Sequence, residues 1–346
     1  MKTRRNLRWQ EMNKSNIELS HLMECYKTFN QSEGKSPRTI EWYEHVLQLF
    51  QDWLQSTGKP TNLGSLGEPE VRDFILALRQ KQVKGKVLST HTINNRVRAL
   101  RAFFSWLARD EYTSDNLLAK MKPPKVAETI VEPLNPEEIE KLFSVINQST
   151  MMGARNAAIL ATFLDTGLRV SEITQLKTLD VHLDQKYIKV FGKGSKERMV
   201  PIGISCHKTL MRYNYQFRPE PAHAGIEVFF LTLDGYELTA SAVKSLMVRI
   251  SQVSGIKRLH PHLLRHTYAT SFLLNGGDVF LLKQNLGHST LKMVEHYRHI
   301  ASRQAAILSQ SFSPLDRMNL SELRRNQTKN NGSKSFVYQN AGKHRH

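Results

Sequence analysis

The stretch from Leu259 to Thr270, LHPHLLRHTYAT, places four polar side chains on a segment with the apolar spacing of a helix. Leu263, Leu264 and Tyr268 predict one buried stripe. The polar side chains in the same turns are His260, His262, Arg265 and His266. Imidazoles exchange protons near neutral pH, and a guanidinium stays protonated and binds oxyanions through paired N–H groups. These residue types suit either proton transfer beside an anion or metal binding.

Zinc is the first alternative for this helix. His262 and His266 are four residues apart, which places them on one helix face at a spacing that suits two zinc ligands. Arg265 lies between them and would hold a fixed positive charge beside the metal. The neighbouring sequence also lacks an obvious carboxylate or thiolate as a third ligand. The sequence therefore disfavours zinc here.

Two other patterns are weaker still. Gly192-Lys193 begins like a nucleotide-binding P-loop, but Gly194 occupies the position that requires Ser or Thr. The P-loop interpretation is therefore rejected. A two-metal nuclease needs clustered carboxylates, and no signature spacing selects among the acidic residues Asp165, Glu172, Asp180 and Asp184. A metal-dependent nuclease or transposase stays open as an alternative.

Four further stretches carry candidate side chains: TGLRVSE at 166–172, GKGSKER at 192–198, LGHS at 286–289 and HYR at 296–298. Each alone has an ordinary explanation as a surface cation, a helix cap or a packed ring. Taken in chain order, together with PHLLRHT at 261–267, they resemble the motifs of the tyrosine recombinase (phage integrase) family. The resemblance is to its Xer-like and transposon-encoded members in particular, and it runs from about residue 135 to 300.

This resemblance implies a site-specific DNA recombinase or integrase whose catalytic residues are Arg169, Lys193, His262, Arg265, His288 and Tyr297. Tyr297 corresponds to the nucleophile that forms a 3′-phosphotyrosyl intermediate. A phenol loses its proton only near pH 10, so an imidazole beside it is a suitable acceptor, and the resemblance implies His262. Lys193 corresponds to the acid that protonates the leaving 5′-oxygen.

The other implied roles concern negative charge on the phosphate. Arg169 and Arg265 offer forked donors to the non-bridging oxygens, and His288 is implied to hydrogen-bond the phosphate. Three neighbouring side chains are expected to support these groups: Glu172, His260 and His266. Because cations supply the charge stabilisation, neither a metal ion nor a nucleotide cofactor is expected. The same fold without catalysis, as a DNA-binding protein, is the remaining alternative.

Composition supports a nucleic-acid partner independently. The chain has 49 Lys and Arg against 31 Asp and Glu, a formal net charge of +18. Such a charge attracts polyanions, and double-stranded DNA is the expected partner. Cys25 and Cys206 form no CxxC pair, which argues against a disulfide scaffold. No apolar run is long enough to predict a membrane span, so a cytoplasmic location is expected.

Hydrophobic spacing predicts mainly helices, with one hairpin from two short β-type runs at 187–191 and 198–202. The resemblance implies a mainly α fold, with an N-terminal four-helix DNA-binding domain and a mainly α catalytic domain that contains a small antiparallel β-sheet. The predicted segments are a basic arm at 1–16, a SAM-like helical domain at 17–110, an extended linker at 111–134, the catalytic domain at 135–312 and a disordered basic tail at 313–346. By resemblance, a homotetramer on two DNA sites is expected. Integration, transposition and replicon resolution are equally open as biological roles.

The fourth predicted helix has a basic side as well as an apolar one. It begins at Ser89, and its apolar stripe consists of Ile93, Val97, Leu100, Phe104 and Leu107. Its flanks and far side carry Arg96, Arg98 and Arg101. A basic helix face is solvated by default, but in this basic chain we expect it to contact DNA phosphates, as we do for Lys196.

Overall fold

A computed structural model describes residues 12–83, 85–125, 131–192 and 197–287 of the chain. The chain divides into two compact units, Met1–Thr129 and Ile130–His346, each with its own hydrophobic core. The described elements are mainly helices with two small antiparallel sheets, which confirms the predicted fold class. No helix in the described part of the chain is long and apolar enough to cross a membrane.

Among its described residues the first unit contains four helices, α1 (Leu19–Ser32), α2 (Pro37–Ser56), α3 (Glu68–Gln80) and α4 (Thr90–Arg109). Side-chain caps set two of the starts, including the predicted start at Ser89. The Thr39 amide donates to Ser36 Oγ, and the Thr92 amide donates to Ser89 Oγ. The first amides of a helix have no partner within it, so such caps fix where the helix begins.

The buried face of α4 is wider than the predicted stripe. All five stripe residues are buried, and Ala99, Phe103 and Trp106 are buried with them. The rings of Phe103 and Trp106 pack against Tyr26 of α1, with centroids 5.4 and 5.1 Å away. A helix that contacts neighbours on more than one side needs a wider apolar surface than a single stripe.

Part of the predicted linker belongs to the first core. Leu118 and Met121 are buried there, and Asn94 Nδ2 on α4 donates to the Pro124 carbonyl at 2.6 Å. The prediction of an extended linker over 111–134 is therefore wrong for 118–121, because these two apolar side chains complete the core. The sequence also did not predict the short hairpin of β1 (Gln82–Val83) and β2 (Lys86–Val87).

The second unit is built from seven described helices and a three-stranded antiparallel sheet. The helices are α5 (Pro136–Ser144), α6 (Met151–Thr166), α7 (Val170–Thr174), α8 (Ile204–Arg212), α9 (Ala240–Ser254), α10 (Pro261–Leu274) and α11 (Val279–Leu286). A π-helical turn, Tyr213–Phe217, continues α8. The strands lie in the order β3 (Val181–His182), β4 (Tyr187–Phe191) and β5 (Glu197–Pro201).

Helix α6 is the centre of the second unit. Every residue from Gly153 to Phe163 is buried, and α6 packs against both α8 and α10. Its alanines permit this close packing, while the Thr162 hydroxyl donates to the Ala158 carbonyl and so stays satisfied in the core. Because α6 is held on both sides, the turn that follows it has a fixed position.

Strands β4 and β5 form the predicted hairpin. Tyr187 pairs with Pro201 and Phe191 pairs with Glu197, so the two strands are in register along their length. The third strand, β3, pairs with β4 and was not predicted. Four candidate site residues lie outside the described residues: Lys193, Lys196, His288 and Tyr297. The arm up to residue 11 and the tail at 313–346 lie outside them as well.

Candidate active site

The turn between α6 and α7 places Arg169. Helix α6 ends at Thr166, and the next residue, Gly167, has a φ of +62° in the left-handed region that glycine adopts readily. A Cβ at this position would lie 2.4 Å from Tyr268 Cδ1 of α10 and 2.8 Å from Leu286 Cδ2 of α11. The backbone of this turn therefore touches both helices, and no larger residue fits between them.

Arg169 is held by Glu172, as their spacing predicts. Arg169 Nη1 lies 2.9 Å from Glu172 Oε1, and the Arg169 amide donates to Glu172 Oε2 at 2.8 Å. The Arg169 side chain is 37% exposed, whereas that of Glu172 is 6% exposed. The buried carboxylate thus orients a guanidinium that still reaches solvent, where it can bind an oxyanion.

Arg265 ties three segments together from the first turns of α10. Its side chain is buried, Nη1 donates to the Gly167 carbonyl at 2.6 Å, and Nη2 donates to the Leu286 carbonyl at 2.9 Å. The last carbonyls of a helix lack partners within it and carry partial negative charge, so the end of α11 favours a cation. Arg265 therefore fixes the turn before Arg169 and the end of α11 relative to each other.

His262 lies at the exposed start of α10 beside these groups. Partial burial of the ring lowers its pKa, and so do the nearby charges of His260, Arg265, Lys244 and Arg169. A lowered pKa leaves the imidazole neutral, and so able to accept a proton, at neutral pH. This is the protonation state that a general base needs.

The other two histidines make local contacts. His260 caps α10, because its Nδ1 accepts a hydrogen bond from the Leu263 amide at 2.8 Å. His266 Nε2 lies 2.6 Å from the Val131 carbonyl. Among the described residues no group of three or more His, Cys, Asp or Glu side chains is arranged to hold a metal ion. Both histidines thus have contacts that position the helix.

Two of the four carboxylates considered for a nuclease, Glu172 and Asp165, make other contacts. Glu172 lies between arginines, and Asp165 Oδ2 accepts a hydrogen bond from the Gly203 amide at 2.6 Å. Burial raises the pKa of Asp165. Its contact joins the end of α6 to the residue that precedes α8, a structural role.

One residue at this site was missed by the sequence reasoning. Arg198 on β5 is buried, its Nη2 lies 2.9 Å from Glu172 Oε2, and its Nε donates to the Asn285 carbonyl at 2.8 Å. Strand alternation offered a signal, since Arg198 shares the inward face of β5 with Val200 while Met199 faces outward. An arginine at an inward strand position requires a partner, and Glu172 is that partner.

The DNA-contacting candidates on α4 differ in exposure. Arg98 is exposed, whereas Arg96 and Arg101 are only partly so. Burial lowers the pKa of Arg96, and its Nη1 has no hydrogen-bond partner in the part of the chain that the structure describes. A partly buried guanidinium with an unused donor is suited to bind an anion at the edge of the helix.

Comparison with known proteins identifies the family. Residues 132–304 match the phage integrase family, and residues 24–111 match the N-terminal SAM-like domain of phage integrases. The chain is 32% identical over 285 residues to the tyrosine recombinase XerD of Listeria monocytogenes, covering 81% of this chain and 94% of that protein. The chain belongs to the phage integrase family.

This tyrosine recombinase is also similar to a second sequence relative and to a solved structure. It is 34% identical to the tyrosine recombinase XerC of Bacillus pumilus, over 77% of this chain and 87% of that protein. Its fold is similar to that of the Tn1549 transposon integrase in complex with transposon right-end DNA, with a TM-score of 0.68 and 21% identity over 85% of this chain and all of that one. As a member of this family, the recombinase is an enzyme that cleaves and rejoins DNA strands.

Proposed function

We propose that this recombinase cleaves and rejoins DNA at specific sites through a covalent 3′-phosphotyrosyl intermediate on Tyr297, without a metal ion or a nucleotide cofactor. The observation that carries the proposal is the convergence of Arg169, Arg265 and His262 around the Gly167 turn. Transfer of a phosphoryl group from DNA to a phenol requires cations for the phosphate oxygens and a base for the phenol proton. Two guanidiniums and a neutral imidazole in one small region supply both.

In the proposed reaction the Tyr297 oxygen attacks the scissile phosphorus, and its proton passes to His262. Negative charge on the non-bridging oxygens is stabilised by Arg169 and Arg265, with a hydrogen bond from His288. The bond from phosphorus to the 5′-oxygen breaks as Lys193 protonates that oxygen. Attack by a 5′-hydroxyl of another strand reverses these steps, so the phosphodiester energy is conserved in the tyrosyl linkage.

We infer double-stranded DNA as the substrate and a homotetramer on two DNA sites as the active assembly. The chain's net charge of +18 supports binding of DNA. Solved proteins of similar fold include XerH bound to its difH substrate, at 22% identity and a TM-score of 0.62. Arg98 is exposed on α4, Arg96 and Arg101 are partly exposed on the flanks of the same helix, and we propose that these three residues and Lys196 contact phosphates.

A nicked suicide substrate tests this function. Cleavage releases the short end, so the wild-type protein should accumulate a denaturant-stable adduct with DNA. Tyr297→Phe keeps the ring but lacks the attacking oxygen, so it should bind DNA with unchanged affinity and form no adduct. Mapping the attached peptide and DNA end would give the nucleophile and the cleaved position.

Three outcomes would contradict the proposal. An adduct in Tyr297→Phe would place the nucleophile elsewhere. Binding without any wild-type adduct would favour an inert DNA-binding protein. Cleavage that stops in excess EDTA and returns only with Mg²⁺ would favour a metal-dependent nuclease.

A further inference from the structure

The Glu172 carboxylate is shared by two arginines. Its Oε1 lies 2.9 Å from Arg169 Nη1, and its Oε2 lies 2.9 Å from Arg198 Nη2. The two arginines differ in access, since Arg169 reaches solvent while the side chain of Arg198 is only 6% exposed. Arg198 therefore acts on the carboxylate and is not placed to bind DNA itself.

The charges of these three groups explain why a second arginine is useful. Glu172 orients Arg169, but as its only neighbour it would cancel much of the positive charge that Arg169 presents to a phosphate. Arg198 adds a second positive charge on the other oxygen, so Arg169, Glu172 and Arg198 together keep a net charge of +1. In a poorly hydrated site such charges act on one another strongly.

Arg198 also contacts the end of α11. Its Nε donates to the Asn285 carbonyl at 2.8 Å, and a Cβ at Gly287 would lie 2.9 Å from its Nη1. Arg265 binds the next carbonyl, that of Leu286. Both arginines thus hold the last turn of α11, whose final residue, Leu286, is the first residue of the LGHS motif.

Stability alone does not account for this arrangement. A buried ion pair gives up hydration and is often no more stabilising than apolar packing of the same volume. Within the described residues, Arg198 Nη1 is buried and has no hydrogen-bond partner, which adds a further cost. A buried arginine with an unused donor suits an electrostatic role better than a packing role.

We propose that Arg198 is a positioning residue for DNA cleavage, which offsets the Glu172 charge beside Arg169 and holds the end of α11 next to it. The inference rests on the proposed function, because it assumes that Arg169 binds the scissile phosphate.

A single variant that changes the net charge and a double variant that restores it test the proposal. Arg198→Met leaves Arg169 and Glu172 as a pair with no net charge, so adduct formation on a suicide substrate should slow by roughly 10- to 100-fold. The double variant Arg198→Met/Glu172→Gln removes one charge of each sign and restores the net charge of +1. It should therefore form adduct several-fold faster than Arg198→Met. DNA affinity should be nearly unchanged throughout.

A purely structural role predicts the opposite for the double variant. The slowing from loss of the carboxylate would then add to the slowing from loss of the arginine. A double variant that forms adduct no faster than Arg198→Met would therefore overturn the proposal. Arg155→Met is the matched control, because Arg155 and Arg198 as whole residues are each 8% exposed, but Arg155 donates to the Leu231 carbonyl and the Asn156 side chain. It should lower the melting temperature and leave the adduct rate within about twofold of wild type. Equal slowing in this control would assign the effect to general destabilisation.

Two further comparisons distinguish misfolding, failure of this inference and failure of the proposed function. Should Arg198→Met fail to fold, Arg198→Lys keeps the charge but cannot reach both Glu172 and Asn285, so it should be several-fold slower than wild type; wild-type rate would overturn the proposal. Wild type and Tyr297→Phe in the same gel test the proposed function separately. If Arg198→Met forms the adduct as fast as wild type, only this inference is contradicted. If wild type forms no adduct, the proposed function is contradicted as well.

Discussion

The protonation of His262 is the clearest electrostatic feature of a single residue at this site. Its pKa lies below the ordinary value of 6.5, because burial and four nearby positive groups disfavour the imidazolium. The imidazole is neutral above that lowered pKa and gains a proton as the pH falls through it. A base with this property keeps working at mildly acidic pH.

We therefore expect the acid limb of adduct formation to lie below pH 6.5. At subsaturating DNA the rate reports the free enzyme, so it should hold constant from pH 8 to about 6.5 and fall only below that. Lys244→Met removes one of the nearby positive charges and should move the limb to higher pH. A limb above pH 6.5 in the wild-type protein, or no movement in Lys244→Met, would contradict the assignment of His262 as the base.

Lys193 offers a second test at the scale of one residue. If Lys193 is the general acid, Lys193→Ala should slow cleavage by roughly 10²–10⁴-fold. Sulfur in place of the bridging 5′-oxygen leaves as a thiolate and needs no proton, so this substrate should restore most of the lost rate. Arg169→Ala is the control and should stay slow with sulfur, because the phosphate charge still lacks its partner. Absence of rescue in Lys193→Ala would make the lysine a phosphate-binding cation instead.

At the scale of elements, the turn from α6 to α7 determines where Arg169 lies relative to Arg265, which donates to the Gly167 carbonyl in that turn. Gly167 combines a positive φ with close contact to Tyr268 and Leu286. Gly255, which ends α9, has a φ of +74° but has open space around a Cβ position. Alanine substitution at the two glycines therefore compares the free-energy cost of backbone conformation alone with the cost of conformation plus crowding.

Gly167→Ala should lower the free energy of unfolding more than Gly255→Ala. Each alanine costs about 1–2 kcal/mol for the left-handed conformation. Only Gly167→Ala also forces packed helices apart, for about 1–3 kcal/mol more. Denaturant unfolding gives both values, and the adduct rate should fall only in Gly167→Ala. Equal losses of stability would mean that the helices move apart without cost.

At the scale of the whole molecule, we expect the excess positive charge to attract DNA. Residues 313–346 contain seven Lys and Arg against two Asp and Glu, a net charge of +5 by subtraction. Attraction between these charges and phosphates is screened by salt. The tail should therefore matter most when the ionic strength is low.

Removal of residues 313–346 should weaken DNA binding several-fold at about 50 mM salt and only slightly at about 300 mM. A full-length control with the seven basic residues replaced by Gln should behave like the truncated protein, since length is kept and charge is lost. Fluorescence anisotropy across a salt series measures both. A loss of affinity independent of salt, or a large drop in melting temperature on truncation, would show that the segment acts through packing.

Local sequence was sufficient to predict most helices and to name candidate residues for the site. Ser36 and Ser89 cap their helices through bonds that span three residues, and two short β-type runs separated by a glycine-bearing loop predicted the hairpin. Motif order identified the family and named Arg169, His262 and Arg265. Such signals act over a few residues, so they can be read without knowing how the elements pack.

Contacts between distant segments followed only from the tertiary structure. Arg198 meets Glu172 and the Asn285 carbonyl, which lie 26 and 87 residues away, and Leu118 enters a core that its proline-rich surroundings did not predict. The burial of a residue depends on which elements surround it, and that is set by the packing of all of them together. The sequence thus named the residues that are proposed for catalysis, while the packing of α6, α10, α11 and β5 determined which buried charge lies beside them.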